Sequence, residues 1–254
     1  MKFLVALQYW EGDRDAAHRL LEFLPEITPE GNQYADFVVI HRFDAKEPDA
    51  GVLTTLKKSF NKVYVIKGKE QLIGYPNGSN GLWANLVETA YRKHTETATS
   101  RPPEWSEYKA VLGIEADCCP ISLEWLEKIN HRWEESKVTF MGHYLPFNCD
   151  HPDVGHINGN AMFSIDLFKK VPGITGTPNG IAWDTYHAKK LRNAGWKSVP
   201  EIVSIWNTRT INETGVNALL LNKCVLVHGV KDDSVIRIIR RRISDENNRT
   251  QTQE

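Results

Sequence analysis

Cysteine is scarce: four occur in 254 residues, at 118, 119, 149 and 224, and none has the C-x-x-C spacing of a metal knuckle or redox motif. Cys118 and Cys119 are neighbours, so no disulfide framework is present and the expected setting is a reducing cytoplasm. Long apolar runs are missing too, since no stretch approaches the roughly 18 residues of a spanning helix. The N-terminal MKFLVALQYWEGD has one lysine, a short apolar run and early acids, which suits a buried first strand rather than a cleaved secretory leader. Neither sign of charge is in excess: 31 Lys and Arg stand against 32 Asp and Glu, so no global field marks a nucleic-acid or membrane binder. Linker-like Pro, Gly or Ser tracts and internal repeats are absent. One domain over 1–243 is therefore expected, followed by a disordered polar tail at 244–254. Four chemical signatures are also lacking: the P-loop, a G-x-G-x-x-G after a strand, G-x-S-x-G, and H-E-x-x-H.

What is present is apolar patterning. The chain is 41% hydrophobic, enough for a substantial core. FLVAL (3–7), DFVVIHRF (36–43), KVYVI (62–66) and YKAVLGI (108–114) read as strands. Helical spacing separates them at 14–24, where Ala17, Leu20, Leu21 and Leu24 share a face, at 51–60, and at 82–94 behind the turn-rich GYPNGSNG (74–81). This alternation predicts an α/β fold whose mostly parallel sheet is covered by helices on both faces. The second half is less regular. It offers helices at 123–133, 182–195 and 234–243, and strands at 137–142, 161–165 and within KCVLVHGVKDD (223–233).

In such sheets ligands collect beyond the carboxyl ends of the strands. There the fourth strand runs into Glu115-Ala-Asp117. Carboxylates at i and i+2 of a strand end can converge on one small volume, and a hard divalent cation favours that arrangement. The alternative is a solvated strand end. His228 closes another apolar run, as a further metal ligand or a satisfied polar residue, with Lys231 three residues on as a phosphate partner. HINGNAMFS (156–164) combines a turn dipeptide with amides suited to sugar hydroxyls. Asp184 in AWD opens a helix, either as a dipole-matching residue or as a general base. The loop YPNGSNGLW, containing Asn80, can cradle phosphate on its backbone N–H groups.

Together these stretches resemble the GT-A-fold, nucleotide-sugar-dependent glycosyltransferases, from residue 3 to about residue 235. That resemblance implies a Rossmann-like GT-A domain in which Glu115-Ala-Asp117 is an E-x-D variant of the family's D-x-D motif. Asp117 then ligates Mn²⁺ or Mg²⁺ with His228, while Glu115 approaches the ribose or the metal shell. Gln8, Tyr9 and Trp10 lie near the nucleobase, with Asp44 of HRFD beside them. His156, Asn158, Asn160 and Trp183 fall on the sugar and acceptor side, and Asp184 deprotonates the acceptor. The implied reaction moves a sugar from a nucleotide-sugar, UDP-sugar foremost, to a hydroxyl of a glycan, a small molecule or a modified nucleic acid, with inversion. The motif opens on Glu rather than Asp, a departure from the family pattern.

Three other readings compete. A sugar-1-phosphate nucleotidyltransferase calls for a Gly/Arg-rich phosphate loop after the first strand, where this chain has QYWEGDRD. A His/Asn metal nuclease draws on His143, His151, His156 and Asn158 but leaves the parallel-sheet pattern unexplained. A sugar-binding protein has no need of both Asp117 and Asp184. The basic IRIIRRRI near the C-terminus is either a docking helix or an edge for an anionic acceptor.

Overall fold

The computed structural model describes residues 1–30, 32–70, 72–96, 102–146, 155–205 and 210–251. The first half alternates as the pattern predicts: β1 (Phe3–Tyr9), α1 (Arg14–Ile27), β2 (Ala35–His41), α2 (Ala50–Ser59), β3 (Val63–Lys67), α3 (Asn77–Thr95) and β4 (Ala110–Glu115). β1 and β2 are buried at almost every position, as strands covered on both faces must be. Their side chains alternate between two cores. Phe3, Val5 and Leu7 join Leu20, Leu21 and Leu24 of α1, while Leu4 and Ala6 join Trp83 and Leu86 of α3.

The chain continues through β5 (Cys118–Pro120), α4 (Trp125–Ser136), β6 (Phe140–Leu145), β7 (His156–Ser164), α5 (Leu167–Lys170), α6 (Trp183–Tyr186) and α7 (Ala188–Asn193). It closes with β8 (Trp196–Ser198), β9 (Ile202–Ser204), α8 (Glu213–Leu221), β10 (Leu226–His228) and α9 (Ser234–Gln251). Seven strands form the main sheet in the order β3-β2-β1-β4-β7-β6-β8, and β5-β10-β9 form a second sheet. β7 runs antiparallel to both β4 and β6; the other main-sheet pairings are parallel. From β1 the chain crosses to β2 on one side, and β4 is added on the other. The crevice between the carboxyl ends of β1 and β4 is thus a topological switch point.

Four expectations need correction. The turn-rich 74–81 is a loop only as far as Pro76, because α3 begins at Asn77. The Asn158-Gly159 dipeptide makes no turn but runs inside β7, at the break in register between its two stretches paired with β6. The helix expected over 182–195 is two short helices meeting at His187. The tail expected to be disordered continues α9 as far as Gln251. Cys118, Cys119 and Cys224 are buried and free, and Cys149 lies outside the described residues. Among the described residues no helix is long and apolar enough to cross a membrane.

Candidate active site

Glu115 is the last residue of β4 and pairs in register with Gln8 of β1. Its backbone N–H donates to Asn160 Oδ1 at 2.7 Å, and the Cys118 thiol donates to the same oxygen at 2.8 Å. Asn158 Oδ1 in turn accepts the Asn160 backbone and side-chain N–H groups at 3.1 and 2.9 Å. The buried amides of β7 therefore hold the end of β4 in place. Asp117 occupies the turn into β5, where its carbonyl accepts the N–H groups of Gly229 and Val230 just beyond β10. That wrap brings His228, in register opposite Cys118, onto the carboxylates.

His228 Nε2 lies 3.2 Å from Asp117 Oδ1 and 3.4 Å from Glu115 Oε2. One ligand atom from each of the three residues falls within 4.8 Å of the others. The Lys231 ammonium donates to the second oxygen of Asp117. Two carboxylates and an imidazole make a donor set suited to Mn²⁺ or Mg²⁺, so the residues fit a divalent cation.

Electrostatics tie these groups together. Burial alone would raise the Asp117 pKa, but hydrogen bonds and charge from His228 and Lys231 bring it down to about 2. Burial alone would lower that of His228, yet Asp117 and Glu115 push it up to about 10. In the cation-free protein these shifts are one interaction seen from both ends. A raised histidine pKa stabilises the fold fully below its unfolded value of about 6.5. That contribution is lost as pH rises toward 10. The melting temperature in EDTA should accordingly fall between pH 6.5 and 10. Saturating Mn²⁺, which needs the neutral imidazole, should offset the fall. An EDTA profile flat across that range would contradict the pairing.

Another wall of the site carries Asp184, in the first turn of α6. Its Oδ1 accepts the Thr185 backbone N–H at 2.9 Å, and its Oδ2 lies 3.8 Å from His156 Nε2. Burial raises the Asp184 pKa; the charge of His156 works against that and the charge of Glu115 with it. Trp183 stacks flat on Trp83, with ring centroids 3.6 Å apart and planes at 3°. A Cβ at Gly159 would come within 3.2 Å of Trp183 and 3.3 Å of Glu115, so glycine lets both walls approach the floor strand.

Between the walls lies a cavity of about 690 Å³. Nine of the residues singled out in the sequence line it: Trp10, Asn80, Glu115, His156, Asn158, Trp183, Asp184, His228 and Lys231. The other five do not line it. Asp117 reaches it through His228 and Lys231, Asn160 supports Glu115 from beneath, and Gln8 lies under the strand end. Tyr9 is buried with its hydroxyl donated to the Lys46 carbonyl at 2.5 Å, and burial lifts its pKa to about 12. Asp44 is engaged by Arg42 through two bonds of 2.6 and 2.7 Å. The Asn80 amide holds Trp183 N–H and the Ile181 carbonyl, so the expected phosphate loop latches the loop that carries Asp184.

Sequence reasoning passed over Arg42 and Asp13. Arg42 lines the cavity with its guanidinium 5.1 Å from the Trp10 ring centroid, and its signal was the R-x-D spacing just past a buried strand. Asp13 also lines the cavity; burial raises its pKa against a hydrogen bond from Trp10. The histidine-rich segment does not form one cluster among the described residues. His156 faces Asp184, His143 bonds Ser204, and His151 lies outside the described residues. The arginines near the C-terminus pair within the chain, Arg240 with Glu26, and Arg241 and Arg242 with Glu213.

No protein-family model matches the chain, and no curated protein does. Among solved structures it is similar to residues 1–349 of S. aureus TarS, at 11% identity and a TM-score of 0.51, over 97% of this chain and 65% of that one. The same protein in complex with UDP-GlcNAc matches at 12% identity and 0.51, over 78% and 56%. The bifunctional glycosyltransferase WbbM matches at 8% identity and 0.52, over 89% and 45%. The chain thus spans at most 65% of the length of these structures. At these identities the likeness is one of fold, and that fold is GT-A-like.

Proposed function

We propose that the protein is a cation-dependent glycosyltransferase that moves a sugar from a nucleotide-sugar, UDP-sugar foremost, to an acceptor hydroxyl with inversion. The observation that carries this reading is one cavity lined by two kinds of group. Glu115 and His228, with Asp117 bound behind them, form a cation-type donor set, and the part-buried Asp184 lines the same cavity. The similar fold seen with UDP-GlcNAc in TarS supports the choice of donor.

Glu115, Asp117 and His228 would hold Mn²⁺ or Mg²⁺, which would supply positive charge against the leaving diphosphate. Lys231 and Arg42 add fixed positive charge on the donor side. The acceptor oxygen attacks the anomeric carbon, the bond from that carbon to the phosphate oxygen breaks, and the acceptor proton passes to Asp184. Burial makes Asp184 a stronger base than a solvated carboxylate. His156, Asn158 and Trp183 orient the sugar, and the Trp183–Trp83 stack keeps water from that wall. The acceptor is a glycan, a small molecule or a modified nucleic acid, the transferred sugar a hexose or pentose, and the setting cytoplasmic.

A thermal-shift series with UDP, GDP and their sugars, each with Mn²⁺ or with EDTA, tests the donor reading. A ligand that binds only the folded state raises the melting point by mass action. The expected result is a rise with UDP that EDTA abolishes. No rise with any nucleotide, in a folded sample, would remove the reading's support.

A further inference from the structure

We propose that Ser204 is a positioning residue that presents His228 to the cation site, and that His143 fixes Ser204 from the main sheet. This rests on the reading of Glu115, Asp117 and His228 as cation ligands. Ser204 ends β9 and stands opposite His228 in register on β10. Its buried hydroxyl lies 2.8 Å from His228 Nδ1. An imidazole has two nitrogens, and only one can serve the carboxylate side. With Nδ1 engaged by Ser204, Nε2 is the atom that faces Glu115 and Asp117 at 3.4 and 3.2 Å. A ring flip would break the serine bond and turn carbon toward it. When the hydroxyl accepts Nδ1–H, the Nε2 lone pair is left free, as a metal ligand requires.

Ser204 is itself held. Its backbone N–H donates to His143 Nδ1 at 3.0 Å. His143 stands at the irregularity of the β6–β7 pairing, between Gly142↔Ala161 and Tyr144↔Ile157, where the ladder gives it no partner and its ring reaches β9 instead. Glycine suits the position before the irregularity, because a Cβ at Gly142 would meet Ile157 Cγ2 at 2.7 Å and force that side chain to move. The result is a hydrogen-bonded chain from the main sheet through β9 to β10 and the cation site. Neither Ser204 nor His143 lines the cavity, so both act through His228 rather than on substrate.

The test is Mn²⁺ binding, read as the loss of the free-ion EPR signal, on the full chain of wild type, Ser204→Ala, Ser204→Thr and His143→Ala. Melting temperature and UDP affinity in EDTA are measured alongside. Outer partners of metal-bound histidines typically contribute about 10–100-fold to metal affinity. Ser204→Ala should weaken Mn²⁺ binding by about that factor without changing UDP affinity in EDTA. Ser204→Thr, which keeps the hydroxyl, should restore it, and His143→Ala should fall between. Wild-type Mn²⁺ affinity in a folded Ser204→Ala protein overturns this proposal and leaves the cation site standing. A folded wild type that binds UDP but neither Mn²⁺ nor Mg²⁺ overturns both.

Discussion

Replacing Asp184 with asparagine should lower kcat by about 10²–10⁴-fold, the usual contribution of a positioned general base. The change is nearly isosteric. The amide oxygen can still accept the Thr185 N–H that now reaches Oδ1 at 2.9 Å, so the loop should keep its shape. What disappears is a buried group able to take a proton. On the proposed reading the donor is held through Glu115, Asp117 and His228, so UDP affinity should stay within a few-fold of wild type. The pH profile gives a second readout. Wild-type turnover should fall on the acid side as Asp184 protonates, at a pH above that of an ordinary aspartate because burial raises its pKa. The residual activity of Asp184→Asn should lack that limb. Full activity in a single-turnover assay would place the base elsewhere or indicate a retaining reaction.

The second large effect is expected from Asp117→Ala, read as UDP affinity with Mn²⁺ and with EDTA. Asp117 is the most buried of the acids on that wall, and it is the shared partner of His228 and Lys231. Its loss removes a ligand directly and leaves Lys231 without its carboxylate. The cation-dependent part of UDP binding should fall by more than about 100-fold, beyond what loss of an outer-shell partner costs. Affinity in EDTA should move little. The two variants therefore divide the cavity: one spares binding and loses turnover, the other loses the binding that needs a cation. Unchanged Mn²⁺-dependent binding in a folded Asp117→Ala protein would show that the acid pair has no part in the donor site.

Residue type carried much of the site into view. An apolar run long enough for a central strand, ending on two acids, is hard to explain without a partner, and β4 and Glu115 were legible for that reason. His228 stood out in the same way, as a polar end to VLVH. The misreadings came where local propensity and tertiary context disagree. Asn-Gly favours a turn, but Asn158 and Gly159 lie within β7, held extended between its paired stretches on either side. Asn77, Gly78 and Ser79 are poor helix formers, yet α3 starts there because Asn77 and Asn80 bond the 180–183 loop, contacts about a hundred residues away in sequence. Strands of three residues, such as β5, β8 and β9, are too short to show an alternating period. Asn80 and Asn160 were recognisable as polar groups near the site. That their amides are spent on backbone partners depends on geometry alone.

The separation between Asp117 and Lys231 also bears on synthesis. The two residues are 114 positions apart in the chain. At about 5–20 residues per second, a ribosome takes roughly 6–23 s to pass from one to the other. During that interval the acid pair is already made, but the strand that supplies its histidine and lysine is not. The nascent protein therefore carries Glu115 and Asp117 without His228 and Lys231 until its C-terminal segment emerges, and the cluster is completed only when β10 adds to β5. Translation order thus makes this centre one of the last parts of the molecule to become competent.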